Sequence, residues 1–542
     1  MTTLYRNARV FTADESAPWA EAFVVDAGKL THVGCHASAH AAAGDAAEVI
    51  ELGGRLVLPG FIDAHTHVMM LGEALGKVAL TDARSLPEIQ ERLRAARAAD
   101  PGTQRVLGRG WLFDSLPGAP TAAMIDEAVS DVPVYLDAND YHSCWVNQAA
   151  LKELGITRDT PDPLGGRIAR DSHGEPDGML YETAAQQFAW PFLAEVTSDA
   201  GRDAAVERSL EAYLAAGVTG AVDMALGELD LAAFRRAAFR RAAERRGGRL
   251  PIRIVAHWFI HNTGDEAANL AQVERAALLA AEVNTEWLRV AGIKLALDGV
   301  IDACTAAMNQ PYADGSQAGP IWLPGQLNPV VAAADAAGLQ VALHAIGDHA
   351  SDIALDALEH AAEINGPRLR RHRIEHLEYT SPETPARMAR LGVTASMQPV
   401  HADPAIYGNW VAMLGDDRPD RSFAWPEYVA AGALLAFSTD APTAPYYALQ
   451  NMFVAATRKS ALDPSFPPSN PHFARPLAEA IGHATRDAAA SVMEEDRRGR
   501  LMAGLAADFA VLDADPFVHG EESLLNARIL RTVVAGRTEY LA

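Results

Sequence analysis

Six residues that could bind divalent metal ions are spread along the chain, each at the end or on the inner face of an apolar segment. They are His65, His67, Lys294, His344, His376 and Asp440. Imidazole nitrogen and carboxylate oxygen are ligands that Zn²⁺ and related ions take in proteins. Because six candidates exceed what one tetrahedral ion needs, the set predicts two ions side by side with a water molecule between them.

The first two histidines lie in the segment DAHTH, residues 63–67. Side chains two residues apart on a strand point to the same side, so both imidazoles can reach one ion. A chain with 18 histidines can also produce such a triplet by chance. Its position at the end of an apolar segment that opens with Pro59 and Gly60 favours the metal-binding interpretation.

Lys294 lies inside the apolar segment AGIKLALDG. On a strand its leucine and isoleucine neighbours take one face, and the lysine takes the other, towards the interior. A bare ammonium group would be costly to bury there. The lysine is therefore expected to be neutral or ion-paired, or to have reacted with carbon dioxide to give a carbamate, an anion that can bridge two cations.

The other three candidates close apolar segments. His344 ends QVALH, whereas His349 falls in the following helix and is expected at the surface or the helix start. His376 ends RHRIEH, where His372 is expected to be a structural neighbour. Asp440 ends LLAFSTD and could bind metal or only cap the next helix.

The segments that carry these residues alternate with alanine- and leucine-rich stretches of helical spacing between residues 59 and 495, a pattern typical of β/α units around a parallel sheet. Eight strands are predicted: LVLPGFIDAH, then 217–224, 252–259, 288–297, 339–345, 372–376, 393–399 and 434–440. Eight such units predict an α/β fold, a (β/α)8 barrel. Its site is expected where the strands end and the following loops begin.

Three further segments depart from the barrel pattern. Residues 1–58 and 496–542 contain short β-rich segments, which predict a small β-sandwich domain built from both chain ends. Residues 71–205 contain strands and turns of their own and are interpreted as an insertion after the first barrel strand. This insertion is expected to cap the mouth of the barrel.

The order HxH, Lys, His, His, Asp resembles the amidohydrolase superfamily. More narrowly, GFIDAHTH, GRGW, YHSCWVN, PLGGRIARDSHGEPDGMLYE, GIKLALDG, LHAIGD and RIEH resemble the amidohydrolase family 3 branch that includes N-substituted formamide deformylase. The resemblance implies a carboxylated Lys294 bridging two metal ions, and a homodimer. One difference is Val300, because relatives often have serine after the Asp-Gly pair.

A binuclear centre of this kind implies hydrolysis of a C–N bond in a small amide, formamide or related molecule, with metal-activated hydroxide as the nucleophile. Asp440 would accept the proton of the water and deliver it to the leaving amine. A single-metal deaminase is an alternative, although such members commonly lack the lysine. An ester or lactone hydrolase and a non-catalytic relative are further alternatives; the latter usually loses ligands.

Three residues outside the ligand set are candidate substrate contacts. His142 lies in the insertion, and His401 follows the seventh strand. Trp111, also in the insertion, could line an aromatic pocket or only pack the lid.

Composition limits the partners. The net charge is −24 and the pI is about 5.1, which disfavours nucleic acids and anionic membranes. Neither a secretory signal nor a membrane span is recognised. Three cysteines, Cys35, Cys144 and Cys304, cannot all pair within one chain. A cytoplasmic protein is expected.

Overall fold

The computed structural model describes residues 2–138, 143–163, 166–243, 248–415 and 417–542. These residues form two compact units. One consists of Met1–Val68 with Leu210–Ala542, and the other of Met69–Ser209. The strands of the first unit form two sheets and those of the second unit form one, and each unit has its own apolar core.

The strands share short, mostly buried apolar sequences. In chain order they are β1 Thr3–Phe11, β2 Trp19–Ala20, β3 Ala22–Asp26, β4 Lys29–Gly34, β5 Glu48–Pro59, β6 Phe61–Thr66, β7 Val78–Ala79, β8 Val106–Trp111, β9 Val134–Ala138, β10 Ser143–Val146, β11 Gly166–Arg170, β12 Pro176–Glu182, β13 Val218–Leu226, β14 Arg253–Phe259, β15 Leu288–Ala296, β16 Gln340–Ala345, β17 Arg373–His376, β18 Thr394–Met397, β19 Leu435–Phe437, β20 Phe509–Leu512, β21 Ile529–Val534 and β22 Arg537–Leu541.

The α-helices fall largely in the alanine-rich stretches between strands. They are α1 His36–Ala43, α2 Val68–Leu75, α3 Leu86–Ala99, α4 Ala122–Asp126, α5 Gln148–Glu153, α6 Trp190–Val196, α7 Asp199–Ala215, α8 Glu228–Ala243, α9 Glu266–Glu282, α10 Pro324–Ala336, α11 Asp348–Asn365, α12 Thr384–Leu391, α13 Pro404–Leu414, α14 Trp425–Ala431, α15 Ala448–Thr457, α16 Leu477–His483, α17 Arg486–Ser491 and α18 Pro516–His519. Within the described ranges, none of the helices is both long and apolar enough to cross a bilayer.

Eight strands of the first unit form one parallel sheet in the order β6-β13-β14-β15-β16-β17-β18-β19. The two ends of the sheet meet through backbone hydrogen bonds: the Asp440 amide donates to the His65 carbonyl at 2.8 Å, and the His67 amide donates to the Ala441 carbonyl at 2.9 Å. The predicted (β/α)8 barrel is thereby confirmed. Barrel closure also brings the HxH segment, which begins in the first strand β6, beside Asp440, which lies shortly after the last strand β19.

Both ends of the chain contribute to one mixed sheet, as the fold prediction required. Strand β5 lies in its middle, parallel to β1 and antiparallel to β20. Tyr5, Phe23 and Phe509 pack their rings together in its core at centroid distances of 4.9–5.1 Å. Because β5 ends at Pro59 and β6 begins at Phe61, this sheet leads directly into the barrel.

The second unit has a separate sheet with the order β11-β12-β10-β9-β8-β7. Its core is apolar and includes Trp111, Leu136 and Trp145. All of residues 71–205, the segment interpreted as an insertion, fall within this unit.

Candidate metal centre

Three of the predicted ligands meet at the carboxyl end of the barrel. Ligand atoms of His65, His376 and Asp440 all lie within 4.8 Å of one another, and all three side chains are buried. Asp440 Oδ1 is 3.2 Å from His65 Nε2 and 3.0 Å from His67 Nε2. One carboxylate oxygen of Asp440 therefore lies close to both imidazoles of the HxH segment. This is the arrangement expected if all three side chains bind the same ion.

His344 lies beside this group. Its ring centroid is 4.3 Å from that of His376, and its Nε2 atom is 3.1 Å from the Gly299 carbonyl oxygen. Burial, reinforced by nearby cationic groups, lowers the pKa of His344 to about 3 and holds that of His376 well below its usual range. Both imidazoles are therefore neutral near neutral pH, which is the form that binds a metal ion.

Lys294 lies on β15 and is 3% exposed. Burial lowers the pKa of its amine to about 8, although the nearby carboxylates of Glu375 and Asp440 oppose this shift. Within the described part of the chain, Lys294 Nζ has no hydrogen-bond partner. Buried polar atoms are rarely left in this condition.

The nitrogens His67 Nδ1 and His376 Nδ1 are also buried without a hydrogen-bond partner among the described residues. With Lys294 Nζ, they are three buried nitrogens on predicted ligand residues that the described protein groups do not satisfy. Nitrogen and oxygen donors at the end of a barrel fit divalent metal ions. The residues present therefore suit the metal centre expected from the sequence.

His376 reaches this group through an unusual backbone conformation. Arg373 and Glu375 turn inward on β17, whereas His372 binds the Val341 amide and the Asp335 carboxylate. Simple alternation would place His376 on the same face as His372. Instead its φ of 77° bends the chain at the strand end and brings the ring to His65. Strained backbone of this kind clusters at functional sites.

A buried carboxylate that the sequence did not single out orients the first histidine. Glu375 Oε2 accepts a hydrogen bond from His65 Nδ1 at 2.7 Å, and Arg373 donates to the other oxygen. Burial alone would raise the pKa of Glu375, but the charges of Arg373 and His65 hold it well below its usual range. With Nδ1 protonated, His65 Nε2 is free to bind metal.

Substituting Glu375→Gln is expected to weaken metal binding about 10- to 100-fold, the usual effect of removing a carboxylate behind a metal-binding histidine. Metal affinity can be measured by competition with a chelating dye. Glu363→Gln, at an exposed position on α11, is the matched control. Unchanged affinity in Glu375→Gln would contradict this role for Glu375.

His401 lies in the short 3-10 helix Pro399–Ala402 that follows β18, and it also faces the centre. Its Nδ1 is 3.2 Å from Glu378 Oε1, and its Nε2 is 3.7 Å from Asp440 Oδ2. Trp410 Nε1 donates to the other oxygen of Glu378 at 3.0 Å. Glu378 thus fixes the ring, a role the sequence analysis missed because it depends on contacts between distant segments. The predicted substrate contact of His401 stays a prediction.

The other two candidate substrate contacts are His142 and Trp111. His142 lies outside the described residues. Trp111 is fully buried in the core of the second unit, where it packs against Trp145 and donates a hydrogen bond to the Leu136 carbonyl. These contacts explain Trp111 as a packing residue of that core. Its predicted contact with the substrate stays a prediction.

Asp298, near His344, is another buried carboxylate that the sequence analysis passed over. It accepts backbone hydrogen bonds from Ala307, Ile346 and Gly347 at 2.9–3.1 Å. Burial raises its pKa to about 7 despite these bonds. Asp298 therefore holds together the loops that follow β15 and β16 beside the centre.

Comparisons with known proteins support the family resemblance seen in the sequence. An amidohydrolase family model matches residues 48–540. The chain is 31% identical to Protein LONG AFTER FAR-RED 3 of Arabidopsis thaliana, over 99% of this chain and 91% of that protein. It is 27% identical to N-substituted formamide deformylase of Arthrobacter pascens, over 98% of this chain and 97% of that protein.

A solved structure is similar over almost its full length. It is described as an uncharacterized metal-dependent hydrolase from Pyrococcus horikoshii OT3, with 26% sequence identity and a TM-score of 0.79, covering 96% of this chain and 99% of that one. The family model spans all eight barrel strands and part of the terminal sheet. The chain therefore belongs to the amidohydrolase family of metal-dependent hydrolases, as its sequence motifs implied.

Proposed function

We propose that this chain is a binuclear amidohydrolase that cleaves the C–N bond of a small amide, in particular an N-substituted formamide. The observation that carries the proposal is Lys294, a buried amine without a hydrogen-bond partner in the described structure, beside the Asp440 and histidine group. A carbamate on this nitrogen would convert it into an anionic bridge between two ions. The formamide is suggested by the name of the Arthrobacter pascens relative.

We assign the residues to two candidate ligand groups that would share Lys294. His65, His67 and Asp440 would hold one ion, and His344 and His376 the other, with the carboxylated Lys294 shared. Bound divalent ions lower the pKa of water and polarise a substrate carbonyl. We propose zinc because the set offers imidazole nitrogen and carboxylate oxygen.

Asp440 is the proposed general base. Burial would raise its pKa, but His65 and His67 hold it well below its usual range, so the carboxylate is ionised near neutral pH. It can accept the proton of the attacking water and pass it to the leaving nitrogen. This transfer matters because an amide nitrogen leaves poorly unless it is protonated.

His401 is proposed to bind the substrate near Oδ2 of Asp440, whereas His65 and His67 lie near Oδ1. Glu378 holds its Nδ1, and its Nε2 faces Asp440 Oδ2. His401 Nε2 can form a hydrogen bond with a polar group of the substrate close to Asp440, the proposed acceptor of the water proton. The contact would orient the scissile bond for attack.

Metal analysis combined with product analysis tests the proposal. We expect about two equivalents of divalent metal per chain, formate release from N-substituted formamides, and complete loss of this activity after chelation. One equivalent with release of ammonia would instead support a single-metal deaminase. Faster cleavage of matched esters or lactones would support the alternative hydrolase, and full metal content without turnover of either substrate class would favour a non-catalytic relative.

The compartment and assembly are also proposals. We propose a cytoplasmic protein, since Cys35, Cys144 and Cys304 are all free thiols. A homodimer is proposed from the family resemblance, and light scattering of the purified protein tests it.

A further inference from the structure

A polar cavity lies at the other end of the barrel from the metal centre, near the start of β14. Its volume is about 730 Å³, and it is enclosed by the β3–β4 turn, the start of β14 and the segment after α17, all within the first unit. Six of its lining side chains are cationic and three are acidic. The cationic ones are Lys29, Arg249, Arg253, Arg497, Arg498 and Arg537. In a chain of net charge −24 such a concentration of positive charge is distinctive.

Arg498 is the most deeply buried of these cations, at 1% exposure. Its Nε donates to Glu494 at 2.5 Å, but Nη1 and Nη2 have no hydrogen-bond partner among the described residues. Gly220 leaves room for the guanidinium, because a Cβ there would come within 1.8 Å of Nη1. An arginine offers a planar pair of donors that matches the oxygens of a carboxylate or phosphate.

Two further arginines are held in place at this cavity by Trp287. The guanidinium carbons of Arg249 and Arg253 lie 3.9 Å and 4.6 Å from its ring centroid. Arg253 is paired with Asp508 and Glu286, and Arg249 with Glu539. Arg249 Nη1 nevertheless has no hydrogen-bond partner within the described chain. The arrangement is therefore preorganised and leaves donors in excess of its acidic partners.

The cavity opens to solvent past Lys29 and Arg497, both exposed. Within the described residues neither side chain forms an ion pair at 4.0 Å or less, although Asp496 lies on the same wall. Unpaired cations at the opening above a buried guanidinium would attract anions and guide them inward.

We propose that this cavity binds a small molecule bearing a doubly charged oxyanion, a phosphate or a dicarboxylate. A volume of about 730 Å³ exceeds what a free ion needs and is within the usual range of small-molecule sites. The oxyanion would lie towards Arg498 and Arg249, with Lys29 and Arg497 completing the charge balance. This site is separate from the metal centre and does not depend on the proposed hydrolysis.

Calorimetric titration of the full, metal-loaded chain with sulfate, inorganic phosphate and succinate tests the proposal. We expect saturable binding of one equivalent of at least one anion, and the preferred anion distinguishes a tetrahedral ligand from a dicarboxylate. The double variant Lys29→Ala/Arg497→Ala should weaken binding at least about tenfold, as expected when charged hydrogen bonds are lost. Arg528→Ala, which removes an exposed charge outside the cavity, should leave it unchanged.

Arg498→Lys provides a second, internal test, because it keeps the charge but loses the paired donors. We expect a similar loss of affinity, provided that circular dichroism shows a folded protein; the double variant at the opening keeps the test valid if it does not. Absence of saturable binding of all three anions up to about 10 mM would overturn the proposal. Undiminished binding in the double variant would also overturn it, since anions held at the metal centre would behave in this way.

Discussion

Asp440→Asn should reduce kcat about a hundredfold to ten-thousandfold, the usual range for loss of a general acid–base group. Asparagine keeps the shape of the side chain and one oxygen near His65 and His67, so most of the bound metal should remain. Steady-state kinetics and elemental analysis on the same preparation measure both effects.

The pH profile adds a second readout for this variant. The pKa of Asp440 lies well below its usual range, so the base is available above that pKa and is lost as the pH falls through it. The acidic limb due to this group should therefore disappear in Asp440→Asn. Asp45→Asn, at an exposed position, is the control. Near-native turnover on an amide that the parent cleaves would mean that Asp440 is only a structural cap.

Lys294→Ala should remove the binuclear site together with nearly all activity. The substitution deletes the proposed bridge and leaves four histidines and one carboxylate to hold two dications. Metal content should fall below two equivalents, and added acetate or propionate should restore part of the activity, because a carboxylate can replace the carbamate oxygens. Metal analysis and rates measured with and without the acid test this.

Lys152→Ala is the matched control, because Lys152 is exposed on α5. It should keep its metals and show no response to acetate. Full metal content and full rate in Lys294→Ala would rule out the bridging role. Metal loss without rescue would leave Lys294 as a ligand or packing group and would count against the carbamate.

The barrel could be predicted from sequence because its strands are short, apolar and separated by helical stretches. The strand expected at 288–297 is found at Leu288–Ala296, and the one expected at 339–345 is found at Gln340–Ala345. Placement at strand ends was sufficient to select His65 and Asp440, which the structure brings together. Local pattern suffices here because parallel strands end at a common edge.

Residues whose roles depend on distant contacts could not be predicted in the same way. Glu375 contacts His65 across the closed barrel, and Glu378 contacts His401 and Trp410, which follow the neighbouring strand β18. The inward turn of His376 depends on one positive φ angle, which no periodic pattern encodes. Trp111 lies in a strand expected near a pocket, but its ring is enclosed by its own unit.

The mixed sheet of the first unit has a consequence for how the protein is made. Strand β5 pairs Leu56–Pro59 with Phe509–Leu512, so one edge of β5 has no partner until the ribosome has synthesised nearly the whole chain. Until then an apolar strand edge stays open to pairing with other chains. Contacts so distant in sequence also form slowly. Nascent chains stalled before residue 509 should therefore depend on chaperones more strongly than the completed protein does.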